Sequence, residues 1–233
     1  MKNTPYIDFH AHILPTVDHG SRNLSEALEQ LAMLNGIGID TVVATPHFYP
    51  HSMDVKEFSR SVDSAAKLLC ENRPSPSPRI TLGAEVLYCD GLDRMEHLEA
   101  LCIRGTNILL LELPLAEWSS ELFYTVERLT QCFTVLLAHV DRYIVDQEEE
   151  IHALMSVGAF AQINASALAS LSKRRRLSPL WDTDRIVALG SDLHNTEQKA
   201  CHSMIVAKKR LGDRFDVIMK RSEALLSNAE FLN

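Results

Sequence analysis

Short apolar runs separated by amphipathic stretches set the pattern of this chain. The runs at residues 6–10, 41–45, 79–86, 107–113, 134–138, 159–164 and 185–191 are continuous, rich in leucine or β-branched residues, and predict buried strands. Between them, apolar positions recur at helical spacing over 25–35, 55–69, 93–102, 119–131 and 146–156. In the second of these, Val55, Phe58, Val62, Ala65, Ala66 and Leu69 fall on one face. Residues 166–171 predict a helical turn. Residues 196–232 read as mostly helical, with Gly212 as a break. Strand and helix therefore alternate seven times, with no internal repeat. That alternation predicts an α/β fold with a parallel sheet, closed as a barrel or open. The proline-rich stretch at 72–78 is too short for an interdomain linker and reads as a surface loop. A single domain over 1–233 is the expectation.

A second regularity lies at the ends of the runs. The first ends in Asp8-Phe9-His10-Ala11-His12, and side chains two apart in extended chain point the same way. Later runs end at His47, Glu85, Glu112 and His139, and the last at Asp192 and His194. In parallel α/β folds the carboxyl ends of the strands carry the active site. A barrel would bring all the ends into one ring, whereas an open sheet would leave the first and last far apart, so this distribution argues for closure.

Composition narrows the setting. The formal net charge of -8 disfavours nonspecific binding to nucleic acid. The one basic cluster, Lys173-Arg174-Arg175-Arg176, is either a solvated helix end or a docking patch for an acidic partner. Five scattered cysteines, with no Cys-x-x-Cys pair, suit reduced thiols and a cytoplasmic location. None is followed six positions later by arginine, the spacing of thiol-based tyrosine phosphatases. The N-terminus has no signal-peptide form, and no apolar run approaches the roughly 20 residues of a membrane helix.

The candidate ligands are imidazoles and carboxylates without thiolate, a set that suits Zn, Mn or Fe. A single tetrahedral zinc needs about four ligands, and this chain offers more, so several ions are expected. Paired ions about 3.5–4 Å apart are common machinery for phosphoester hydrolysis.

These residues, in their local wording, resemble the polymerase and histidinol phosphatase (PHP) family. The segments are His10-Ala11-His12-Ile13-Leu14-Pro15, Ala44-Thr45-Pro46-His47, Gly83-Ala84-Glu85-Val86, Leu111-Glu112, Ala138-His139-Val140-Asp141-Arg142-Tyr143, Gln162-Ile163-Asn164-Ala165-Ser166 and Ser191-Asp192-Leu193-His194-Asn195. They are most similar to the branch of bacterial manganese-dependent protein-tyrosine phosphatases encoded with capsule and exopolysaccharide genes. The resemblance covers about residues 6–195. It implies a distorted seven-stranded βα (TIM-like) barrel holding three metal ions, most simply Mn²⁺, with Fe or Zn as alternatives. It implies as ligands His10, His12, His19, His47, Glu85, Glu112, His139, Asp192 and His194. The implied substrate is phosphotyrosine on a bacterial tyrosine autokinase that controls polysaccharide synthesis. The implied reaction is in-line attack by a metal-bridging hydroxide, with Arg142 at the phosphate.

Two positions depart from the family pattern. Where the family has Asp before the glycine of its first loop, this chain has His19, with Asp18 one residue earlier. His19 either replaces the carboxylate as ligand or is a loop histidine near the site; Asp18 is then a supporting partner or a substitute ligand. Gly20 reads as a tight turn. Where relatives carry a second arginine after the Asp-x-His motif, this chain has Lys199, a point charge for phosphate or a solvated helix residue. Phe48 and Tyr49 either flank a substrate ring or pack. Tyr143 is expected to pack, and His97, His152 and His202 to lie on the surface. Two other functions stay open on sequence alone: a small-molecule phosphoesterase of the same superfamily, and a noncatalytic protein with an altered metal site.

Overall fold

The computed structural model describes residues 4–232. Its first half is β1 (Ile7–Ala11), α1 (Leu24–Gly36), β2 (Thr41–Ala44), β3 (His47–Phe48), α2 (Val55–Asn72), β4 (Arg79–Leu82), β5 (Glu85–Leu87) and β6 (Ile108–Glu112). The second half is α3 (Ser120–Thr130), β7 (Thr134–Leu137), α4 (Glu148–Ser156), β8 (Phe160–Asn164), α5 (Leu171–Arg176), β9 (Ile186–Gly190), α6 (Gln198–Leu211) and α7 (Asp213–Leu225). All strand pairs are parallel. They form two sheets, ordered β1-β2-β4 and β3-β5-β6-β7-β8-β9.

One expected strand is broken in two, and another gains a short continuation beyond its expected end. The run at 41–45 ends at Ala44, because Pro46 has no N–H to donate, and resumes at His47. The run at 79–86 breaks at Gly83-Ala84, where the Ala84 N–H turns aside to the Leu101 carbonyl. Backbone bonds still cross the breaks: the Gly83 N–H donates to Ala44 O at 2.9 Å and the Glu85 N–H to Pro46 O at 3.0 Å. Below the break, the free edge of β4 is taken by two other segments. The Arg104 N–H donates to Leu82 O and the Leu232 N–H to Ile80 O, each at 2.8 Å.

The first and last strands meet. The Asp192 N–H donates to His10 O and the His12 N–H to Leu193 O, each at 2.9 Å. Asp8 Oδ1 accepts the Ser191 N–H at 2.8 Å. β1, β2 and β9 are buried along their whole length, on both faces, which is why their sequences are apolar runs rather than alternations.

The helices start where side chains can cap them. Asn23, Asp54 and Ser119 accept from free backbone N–H groups at the starts of α1, α2 and α3. The helix expected over 93–102 is instead two 3₁₀ turns, Leu92–Arg94 and Leu98–Leu101. His97 between them sits at φ 64, which no continuous helix permits. Gly212 separates α6 from α7 as expected. Among the described residues no helix is long and apolar enough to cross a membrane.

Candidate metal centre

The strand ends bring eight of the nine expected ligands into contact with one another, and the ninth, His19, lies against them. From β1 comes His10, with His12 just past its end, from β3 His47, from β5 Glu85, and from β6 Glu112. His139 and Asp192 follow the ends of β7 and β9. Both take left-handed backbone, at φ 32 and φ 54, which turns their side chains at a cost of ~1–3 kcal/mol each.

Two supporting residues set the ring orientations. Gln162 Oε1 accepts from His10 Nδ1 at 3.2 Å and from the His139 N–H at 2.6 Å. Asp18 Oδ2 accepts from His12 Nδ1 at 2.6 Å and from the His47 N–H at 3.0 Å, while its Oδ1 takes the Gly20 N–H at 2.8 Å. With protons on Nδ1 alone, His10 and His12 present Nε2 lone pairs to a cation. Burial disfavours the charged rings, but the carboxylates around them outweigh it and raise both imidazoles above their ordinary value, so the cluster attracts positive charge.

Those two Nε2 atoms lie 3.1 Å apart. Glu85 Oε2 is 3.1 Å from the first and 3.3 Å from the second. Asp192 Oδ1, buried without a hydrogen bond, lies 3.8 and 3.6 Å from them. Four lone-pair acceptors aimed at one another repel unless a cation sits among them. His47 Nδ1 is likewise buried without a hydrogen bond, 3.0 Å from Glu85 Oε2 and 3.8 Å from Glu112 Oε2. His139 Nε2 is 2.6 Å from Glu85 Oε1 and 3.5 Å from Glu112 Oε1. Three groups have ligand atoms within 4.8 Å of one another: His10, His12 and Asp192; His47, Glu85 and Glu112; and His12, His47 and His194. The donor set, imidazoles and carboxylates without thiolate, fits hard-to-borderline divalent metal ions.

Electrostatics agree. Burial, with the Glu85 charge beside it, lifts the Glu112 carboxyl to about 7, although Arg142 opposes the rise. Burial pushes His47 down to about 3. Burial would raise Asp18 as well, but its bond to His12 wins and holds it below the usual carboxylate range.

The cluster opens into a cavity of about 830 Å³ lined by His19, His47, Tyr49, Glu112, Arg142, Asp192 and His194, among others. Arg142 donates from Nη1 to Glu112 Oε1 at 3.1 Å and from Nη2 to Asp192 Oδ2 at 2.7 Å. His19 is exposed and lays its ring over His47 and His194. Lys199 does not line this cavity. It is exposed and borders a smaller hollow beside Asp192 and His194. Tyr49 stacks on His47, whereas Phe48 is core, edge-on to Phe58. Tyr143 packs, donating its hydroxyl to Leu113 O. His97 and His202 are exposed and His152 is half-buried. Gly20 needs no left-handed turn. Its role is close approach, since a Cβ there would lie 2.5 Å from His12 Cβ.

Sequence reasoning quoted Gln162 and Asn164 within one family-like segment but gave them no role; Asn164 Nδ2 donates to Asp192 Oδ2 at 2.7 Å, and the rim pair Arg22–Glu26 was passed over. One signal was present. In β8, Gln162 and Asn164 are polar residues two apart inside an apolar run, so both point to one side.

The comparisons with known proteins agree with this architecture. Tyrosine-protein phosphatase YwqE of Bacillus subtilis (strain 168) is 26% identical over 241 residues, covering 95% of this chain and 92% of that protein. A crystal structure described as YwqE from Bacillus subtilis and CpsB from Streptococcus pneumoniae, unique metal-dependent tyrosine phosphatases, superposes with TM-score 0.76 at 21% identity, covering 97% and 96% of the two chains. Histidinol phosphate phosphatase from Lactococcus lactis, complexed with zinc, L-histidinol and phosphate, shares the fold at TM-score 0.56 and 12% identity, covering 89% and 94%. The family profile for capsular polysaccharide synthesis, CpsB/CapC, matches residues 6–229. The chain belongs to the CpsB/CapC family.

Proposed function

We propose that this protein is a metal-dependent protein-tyrosine phosphatase that removes phosphate from a bacterial tyrosine autokinase and so regulates capsule or exopolysaccharide synthesis. The observation that carries the reading is the convergence of His10, His12, Glu85 and Asp192 lone pairs beside an arginine-bearing open cavity. The kinship with YwqE supports it. The chain forms one domain over 1–233, a distorted seven-stranded barrel in which the broken strands count as single staves; the bonds joining 10–12 to 192–193 support closure. The centre takes three ions, Mn²⁺ foremost, with His10, His12, His19, His47, Glu85, Glu112, His139, Asp192 and His194 as ligands. Such ions neutralise phosphoryl oxygens and generate a nucleophile from water near neutral pH.

The protein's own groups do the rest. Arg142 exchanges a carboxylate for the phosphoryl oxygens, which its planar fork binds in pairs. Lys199 adds positive charge at the edge of the site. Tyr49 flanks the substrate ring. The leaving phenolate, with a pKa of about 10, needs little protonation. Cysteine takes no part: burial lifts the Cys102 thiol to about 12 and Cys201 to about 11, and no cysteine lines the cavity. Free thiols, three of the five buried, suit a cytoplasmic setting.

The test is phosphate release from a phosphotyrosine peptide by chelator-stripped protein titrated with Mn²⁺, Zn²⁺ and Fe²⁺. Restoration by an ion establishes the activity; silence with every ion rejects it. The fold shared with histidinol phosphate phosphatase favours one second reading, a small-molecule phosphoesterase. Higher catalytic efficiency on histidinol phosphate than on the peptide would select it.

A further inference from the structure

The basic run Lys173-Arg174-Arg175-Arg176 takes no part in the centre, and its four cations divide into two pairs. Lys173 Nζ donates to Asp141 Oδ2 and Arg176 Nη1 to the Val145 carbonyl, each at 3.1 Å, so this pair ties α5 to the rest of the chain. Arg174 and Arg175 instead line a separate hollow of about 360 Å³. Arg210 near the end of α6 and Arg214 in the first turn of α7 line it too. Arg175 and Arg210 are exposed, and Arg174 is half-buried with its Nε in no hydrogen bond. Among the described residues no carboxylate lines the hollow, and none pairs with Arg174, Arg175 or Arg210. Cations gathered without counter-ions repel one another, and an anionic occupant relieves that repulsion.

The hollow stands apart from the metal centre but is joined to it by the 3₁₀ turn Ala165–Ala169. Ser166 of that turn borders the small hollow beside Asp192 and His194, and Leu168 lines the arginine hollow. The same interval along α6, from Lys199 to Arg210, is roughly 17 Å at 1.5 Å per residue. About five residues of extended peptide cover it.

Shape and chemistry select the occupant. Arginine forks bind carboxylates in pairs. Between them Leu168, Trp181 and Leu211 give the hollow an apolar lining that accepts an aliphatic or aromatic side chain. A membrane surface calls for apolar side chains that protrude among the cations. Here only Leu171 protrudes, while Trp181 and Leu211 are half-buried and Leu168 is buried. We propose that this hollow docks an acidic segment of the protein substrate, with an apolar side chain among its carboxylates, while a phosphotyrosine of the same chain occupies the main cavity. This rests on the reading that the substrate is a phosphorylated protein.

The test compares phosphotyrosine peptides that carry the block Asp-Glu-Leu-Glu-Asp with the same peptides carrying Asn-Gln-Leu-Gln-Asn. The block stands about six to ten residues from the phosphotyrosine, on either side. Binding to chelator-treated protein, read by fluorescence anisotropy, decides the matter. The parent should bind the better-placed acidic peptide roughly tenfold more tightly than its neutral counterpart, with the gain shrinking as salt rises. With Arg174→Ala, Arg175→Ala and Arg210→Ala combined, the gain should vanish. The exposed pair Arg175→Glu and Arg210→Glu, which leaves packing untouched, should abolish it as well. In metal-loaded protein the same preference should appear in KM and not in kcat, and turnover of p-nitrophenyl phosphate should be equal in parent and variants. If no phosphate is turned over, the proposed function fails, and the binding preference still decides whether the surface exists. Equal binding of the two peptides by the parent, or a preference that survives in both variants, overturns the proposal. So does arginine-dependent cosedimentation with phosphatidylglycerol vesicles without any peptide preference, which assigns the hollow to a lipid surface.

Discussion

One oxygen of Gln162 holds two candidate ligands at once: it accepts from the His10 ring and from the His139 backbone N–H. Its amide cannot turn over, because Nε2 donates to Asn164 Oδ1 at 3.0 Å. The pair therefore fixes the His10 tautomer and the backbone carrying His139 together. Gln162→Leu should weaken metal binding roughly 10- to 100-fold, as measured by competition with a chromogenic chelator. Unchanged affinity would mean that the rings are held by packing alone.

Asp18 does for His12 what Gln162 does for His10, but with a full charge. Asp18→Asn can keep a carbonyl oxygen where the His12 and His47 donors converge only by turning its NH₂ toward the Gly20 N–H, so at least one of the three bonds must fail. Metal affinity should fall ~10-fold or more. Far-ultraviolet circular dichroism should stay native, since only a loop and two rings are affected.

Arg142 is the cation best placed to receive phosphate, yet it is tied to Glu112 and Asp192. Arg142→Lys keeps the charge and loses the fork. We expect kcat/KM on a phosphotyrosine peptide to drop roughly 100-fold, with metal content unchanged. Loss of metal in this variant would instead assign Arg142 to holding the two carboxylates in place.

Asp8 makes stability depend on pH. Burial, the largest influence, lifts its carboxyl to about 6 against the bonds from Ser191 and His10 that pull it down, and its Oδ2 has no hydrogen-bond partner. A folded pKa above the unfolded value of about 3.9 means that folding favours the neutral acid. The stability this contributes is complete below about pH 4 and is lost as pH rises through about 6. Asp8→Asn keeps the acceptor for Ser191 without the charge. In chelator-treated protein the variant should match the parent at pH 4 and be more stable at pH 7.5, by ~1–3 kcal/mol in denaturant melts. Lower stability at pH 7.5 would show that the ionised carboxylate is needed.

Much of the site was legible because parallel strands impose a rule: apolar run, then a polar residue at its carboxyl end. His10, His12, His47, Glu85, Glu112, His139, Asp192 and His194 all follow it. What escaped notice did so for physical reasons. Gln162 lies inside a strand, where an apolar run masks a polar residue turned inward. The break at Gly83-Ala84 depends on a partner outside the run, the Leu101 carbonyl. The stretch 92–101 has helical spacing, but His97 in left-handed backbone divides it. The position of Lys199 outside the main cavity follows from where α6 begins, which residue spacing after His194 does not encode.

The bond from the Ser191 N–H to Asp8 spans 183 positions along the chain. Contacts of such separation form late, because the entropy of closing the loop must be met before they reward it. The seam between 8–12 and 190–194 is thus a final event of folding, and it supplies ligands from both sides. Ions bind the finished protein and not its precursors, so saturating metal should slow unfolding while leaving the early refolding rate unchanged. Departure of the ions and parting of the first and last strands should then fall in one kinetic step.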